Sequence, residues 1–127
     1  AMTPVVYDAG ALIAAERSDR QLWADHRVRL ELGIVPIVPA PVVAQVSRSP
    51  RQAQLHRLLR GCRVEPFDEP RAHRVGALLA KFRTSDVVDA LVVTLAIECR
   101  ADIVTSDRAD IEPLLQCAGA RARVVEV

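Results

Sequence analysis

The sequence predicts an α/β domain built on a mostly parallel sheet, and two observations carry that prediction. Short runs rich in Val and Ile alternate with longer amphipathic stretches in the order β-α-α-β-α-α-β-α-α-β-α-β, as parallel strands joined by right-handed crossovers require. The 127 residues are enough for one compact domain with a real core and too few for two. Residues 2–127 are therefore expected to form a single domain, with Ala1 before Met2 set aside as a cloning remnant. No internal repeat, low-complexity tract or linker interrupts it.

Residues 3–7 (TPVVY) form the first β-rich run, and DAGALIAAER reads as the helix after it. From Asp19 to about Leu32 runs a charged amphipathic stretch with Leu22, Trp23, Leu30 and Leu32, ended by Gly33 where a C-terminal glycine belongs. IVPIVP (34–39) is β-branched and too short for a helix, and its prolines mark strand ends. Residues 40–48 read as a short helix with Pro41 in the first turn, where a missing N–H costs little. Ser49-Pro50 breaks it, and 51–60 forms another, closed by Gly61. CRVEPF (62–67) is the third strand candidate, followed by a helix over 69–83 with Val75, Leu78, Leu79 and Phe82 at spacings of three and four. Ser85 is the expected N-cap of the strongest helix, which runs to Arg100 with Val88, Leu91, Val92, Leu95, Ala96 and Cys99 in one apolar stripe. DIVTS (102–106) is a fourth strand, 107–118 a helix, and ARVVEV the last strand.

Half of the residues are hydrophobic but only four are aromatic, so Val, Leu, Ile and Ala must build the core. No apolar run approaches the roughly 18 residues of a membrane span, and no signal peptide precedes the first strand, so no membrane association is expected. Cys62, Cys99 and Cys117 are odd in number and widely spaced. They suit buried thiols in a reducing cytoplasm better than a disulfide or zinc framework. The net charge is +1, yet its distribution is uneven. All basic residues but Lys81 are Arg, and Arg48, Arg51, Arg57, Arg60 and Arg63 fall in a stretch from 32 to 64 with no acid. Guanidinium forks suit phosphate or carboxylate partners, while long Arg stems can equally serve only to cover helix surfaces.

Four acids carry the functional signal. Asp8 closes the first apolar run and Asp107 the fourth, while Asp86 and Asp89 stand three residues apart in SDVVDA. Each falls where a strand hands over to a helix or in a helix's first turn, and parallel strands would gather those points at one sheet edge. Each also has an ordinary reading: Asp8 and Asp107 as N-caps, Asp107 with Asp110 as a capping pair, Asp86 as a dipole-favoured acid. Asp89 is harder to explain so, because it shares a face with Val92 and Ala96 and needs an arginine or a metal to compensate it. As a set they describe oxygen ligands for a hard cation, Mg²⁺ or Mn²⁺, because neither Cys nor His accompanies them. Thr105, Ser106 and Ser85 offer hydroxyls to orient a water or phosphate, or simply cap and turn the chain.

An Asp closing the first strand in VVYDAGALIA, an Asp heading the helix DALVVTLA and a late IVTSD together resemble the PIN domain, over residues 3 to about 126. The short chain resembles in particular the toxin ribonucleases of VapBC toxin–antitoxin pairs. The resemblance implies a three-layer α/β/α sandwich with a five-stranded parallel sheet in order 3-2-1-4-5. It implies a Mg²⁺- or Mn²⁺-dependent endoribonuclease that is commonly a homodimer and is held inactive by a cognate VapB-type antitoxin. By position it implies Asp8, Asp89 and Asp107 as catalytic metal ligands, with Asp86 a further carboxylate. One position departs from the family: the helix over 40–48 carries Gln45 where a Glu is usual, a neutral amide that can ligate but adds no charge and is no base.

Three functions therefore compete. The first is an RNA-cleaving toxin. The second is a catalytically weak PIN-like module that grips RNA or antitoxin, with Arg48, Arg51 and Arg57 as contacts. The third, a phosphoacceptor receiver domain, needs a lysine at the end of a late strand, whereas Lys81 lies in a predicted helix. The partner is expected to seat in an aliphatic groove between residues 11–32 and 40–60.

Overall fold

The computed structural model describes residues 3–83 and 86–127. Its elements are β1 (Val5–Tyr7), α1 (Ala9–Glu16), α2 (Arg20–Glu31), β2 (Ile37–Pro39), α3 (Ala40–Val46), α4 (Ala53–Arg60), β3 (Arg63–Glu65), α5 (Glu69–Phe82), α6 (Val87–Cys99), β4 (Asp102–Thr105), α7 (Arg108–Cys117) and β5 (Val124–Glu126). The strands make one five-stranded sheet in order β3-β2-β1-β4-β5, with every neighbouring pair parallel. Register is fixed at the centre by Val6 opposite Ile37 on one side and Ile103 on the other. The expected PIN-like fold and strand order are present.

The strands are only three or four residues long, so the sheet is held by what covers it. Val6, Val38 and Ile103 are fully buried at its centre, while the edge strands β3 and β5 are open to solvent. Helix α6 differs from the single apolar stripe that the sequence predicts. It is buried on all sides from Ala90 to Ala96, because it packs on β1, β2 and β4 beneath α5 and α7. A helix enclosed in this way is apolar all round, and its one polar residue in that stretch, Thr94, returns its hydroxyl proton to the Ala90 carbonyl at 2.7 Å.

Boundaries shift where caps decide them. Ser85 lies outside the described residues; the N-cap of α6 is Asp86, whose carboxylate accepts from the Asp89 N–H at 3.0 Å. Helix α3 stops at Val46, two residues short of the expected end, and Arg48 turns back to donate to the Ala44 and Ser47 carbonyls. Helix α4 starts at Ala53 rather than Arg51 and has no side-chain cap of its own. Instead Glu16, at the far end of α1, accepts from the Leu55 N–H at 2.9 Å. This cap between distant segments places a carboxylate on the positive end of α4.

Helices that join parallel strands run against them, so α1, α3, α6 and α7 all begin at the carboxyl edge of the sheet. Chain order reverses between β1 and β4, and a crevice opens at such a switch point.

Candidate metal centre

Asp8, Asp86, Asp89, Asp107 and Asp110 all stand at the beginnings of α1, α6 and α7, around the β1–β4 switch point. Asp8 is 5% exposed, and both its oxygens are occupied: Oδ1 accepts from the Ala9 N–H at 2.7 Å and Oδ2 from the Thr105 hydroxyl at 2.9 Å. Each oxygen keeps a second lone pair for a ligand. Thr105 is fully buried, and its Oγ also accepts from the Asp107 N–H at 3.0 Å. One hydroxyl thus ties the acid after β1 to the backbone of the acid after β4. Ser106 is exposed, and its side chain and backbone nitrogen press so close to Gly10 that a Cβ there would stand 2.6 Å from that nitrogen.

Asp107 occupies the N-cap position of α7 yet makes no cap bond. Its carboxylate is free to meet others, and oxygens of Asp89, Asp107 and Asp110 come within 4.8 Å of one another. Asp110 was readable from the sequence only as a capping partner of Asp107; the signal was the Asp-x-x-Asp spacing, the same that joins Asp86 to Asp89. Asp8 lies outside this tight group but near enough for its charge to act on Asp89 and Asp107. Asp86 caps α6 and adds its charge beside them.

The half-buried Asp89 carboxyl is pushed up to about 7, first by loss of solvent and then by Asp86, Asp8 and Asp107. Asp107 is raised too, by desolvation and by Asp110, with Asp8 and Asp86 adding to it. Among the described residues no arginine pairs with Asp89. An all-oxygen donor set that repels itself fits a hard divalent cation and does not fit zinc, which favours His and Cys. Gln45 is exposed on α3, which packs against α1 and β2.

A second feature lies away from the acids. Between α2 and α4 runs a groove of about 820 Å³ lined by Arg20, Trp23, Arg27, Leu30, Arg57 and Arg60 among others. It falls within the two segments expected to frame a partner groove, but it is rich in arginine rather than aliphatic. The Arg57 guanidinium lies 4.4 Å over the Trp23 ring, and the Trp23 N–H is anchored on the Ala15 carbonyl. Beneath, Arg29 donates to the Tyr7 hydroxyl at 3.2 Å, and that hydroxyl is hydrogen-bonded to His26 Nδ1 at 2.8 Å. Burial, Arg29 and Arg57 all hold the His26 pKa low. Arg51 is exposed; Arg48 is engaged at the end of α3.

A family profile described as PIN domain matches residues 5–112. Among curated protein sequences none matches the chain. Solved structures that share its fold include three at low identity. VapBC2 from Rickettsia felis, bound to a DNA fragment from their promoter, superposes with a TM-score of 0.74 at 13% identity, over 98% of this chain and 99% of that one. FitAcB from Neisseria gonorrhoeae gives 0.65 at 15% identity, over 96% of each chain. PAE2754 from Pyrobaculum aerophilum gives 0.60 at 17%, over 93% of this chain and 91% of that one.

Proposed function

The chain belongs to the PIN domain family, and from that premise we propose that it is the toxin of a VapBC-type pair, a Mg²⁺- or Mn²⁺-dependent endoribonuclease of the cytoplasm. The observation that carries the reading is the meeting of Asp89, Asp107 and Asp110 at the switch point, with Asp8 and Asp86 adjoining. Asp8, Asp89 and Asp107 hold the cation, and Asp86 adds charge at the rim. The chemistry a bound cation would supply is charge neutralisation at the phosphate and acidification of an attacking water. The protein's own task is to hold its acids in place. Thr105 does so for Asp8, and its bond to the Asp107 N–H sets the turn on which that acid is presented. Ser106, exposed beside the site, offers a hydroxyl for a phosphate oxygen.

The antitoxin occupies the α2–α4 groove, where four arginines and Trp23 suit an acidic segment with an apolar anchor. An arginine from the partner would neutralise the acidic pocket. Arg48, Arg51 and Arg57 contribute to RNA or antitoxin contact, and two copies associate as a homodimer.

Single-stranded RNA incubated with the purified protein tests the enzyme. Cleavage that needs Mg²⁺ or Mn²⁺, stops with chelator and is lost in Asp8→Asn supports it; cleavage unaffected by Asp8→Asn rules out the assigned site. RNA binding without any cleavage would favour the weak-module reading that Gln45 keeps open. Replacing Arg51 and Arg57 by Ala should flatten the salt dependence of RNA binding; an unchanged slope would remove them from the RNA surface.

A further inference from the structure

We infer that His26 is the recognition point of the groove between α2 and α4. Its Nε2 bonds a glutamate or aspartate of an acidic partner peptide, and that bond takes up a proton. This rests on the partner reading of the groove given above. It adds the residue that reads the partner's charge and the pH dependence that follows.

His26 is 3% exposed, yet it lines the groove. Its hydrogen bond among the described residues joins Nδ1 to the Tyr7 hydroxyl, and Nε2 has none. Among those residues no side-chain nitrogen or oxygen sealed from solvent lacks a partner, so Nε2 opens outward. Gly61, also in the groove lining, shows where. A Cβ on Gly61 would stand 3.2 Å from His26 Nε2 and 3.2 Å from Leu30. The Gly61 φ is −90°, a backbone any residue adopts, so turning the chain at the end of α4 does not call for glycine. What the missing side chain leaves is room over Nε2.

The walls select an acidic occupant. Arg20, Arg27, Arg57 and Arg60 line the groove against one acid, Glu31. A strand of RNA needs an aromatic face to stack on, whereas Trp23 packs on the core and lies beneath the Arg57 guanidinium. A peptide carboxylate needs only donors. The groups that face His26 are Tyr7 of β1, Arg29 of its own helix and Arg57 of α4, with Cys62 beyond Tyr7. None is an acid, and both arginines, like burial, disfavour the imidazolium. A carboxylate on Nε2 supplies the missing negative charge and stabilises the imidazolium, whose second proton comes from solvent. Affinity therefore rises as pH falls through the raised pKa of the occupied state, and levels off below the lower pKa of the free one.

The experiment titrates the full chain with a synthetic peptide of glutamates and leucines and, separately, with oligouridine, by calorimetry and by NMR of the His26 ring. Peptide affinity is expected to be about three- to tenfold higher near pH 6 than near pH 8, with the His26 pKa raised by about one unit on binding. His26→Gln is expected to flatten that dependence, because His56 and His73 remain in both proteins. If His26→Gln does not fold, Gly61→Ala makes the test by covering Nε2 while keeping the imidazole. Arg60→Ala, expected to weaken peptide binding at every pH, controls for the groove itself. A bound peptide that leaves the His26 pKa unmoved, or a His26→Gln protein with the parent's pH slope, overturns this inference and leaves the partner groove standing. A parent that binds no peptide, or an Arg60→Ala protein that binds it like the parent, removes the groove reading and this one with it. Oligouridine that shifts the His26 resonances where the peptide does not would make the groove an RNA surface and overturn both.

Discussion

Asp8, Asp89 and Asp107 look alike in sequence, each an acid near a helix start, yet their surroundings give them different tasks. Asp8 is buried and bonded through both oxygens, Asp89 is half-buried among acids, and Asp107 sits at a cap position without capping. The raised Asp89 pKa has a thermodynamic consequence. An acid whose folded pKa lies near 7 rather than near 4 binds its proton more tightly when folded, so its contribution to stability falls as pH rises between those values. Without divalent cation, Asp89→Asn is therefore expected to melt at the parent's temperature near pH 4 and clearly above it at pH 8. Equal melting temperatures at both would mean that Asp89 is not strained by its neighbours. The comparison is made against the variant because His26, with its depressed pKa, acts in the opposite sense, losing stability as pH falls below about 6.5. Sequence exposed the strained Asp89 through its place on an apolar helix face. It could not separate Asp107 from a cap, because cap and ligand share residue type and position and differ only in where the carboxylate turns.

At the scale of elements, α1 organises the site. Its N-terminus follows Asp8, its first turn lies against Ser106, and its last turn sends Glu16 across to cap α4. The close approach explains Gly10: any side chain there drives into Ser106 and pushes α1 away from the turn that carries Asp107. Gly10→Ala is expected to destabilise the protein by about 1–3 kcal/mol in urea unfolding, despite the better helix propensity of Ala, and to weaken divalent-cation binding as well. A stability gain with unchanged cation binding would show that the loop after β4 yields freely. The order of elements was legible because β-branched runs and turn residues are local signals. What was not legible were bonds between distant segments: Glu16 to Leu55, and Tyr7 to His26 and Arg29. No spacing in the sequence encodes them, and the α4 boundary moved for that reason.

For the whole molecule, the strand order puts β1 beside β4, which brings residues 8 and 107, at opposite ends of the chain, to one crevice. That juxtaposition followed from the family resemblance rather than from periodicity, since periodicity finds strands but does not order them. The arginine-lined groove lies on α2 and α4, and it is tied to the cation site through α1 and through Tyr7 at the end of β1. The central claim is that the acids at the switch point hold a hard cation. Anomalous scattering from crystals grown with Mn²⁺ tests it most directly. The predicted result is a peak about 2.1–2.2 Å from oxygens of Asp89 and Asp107, with Asp8 and Asp110 in the same shell directly or through water. A peak elsewhere, or none at Mn²⁺ concentrations that saturate binding in solution, would contradict it.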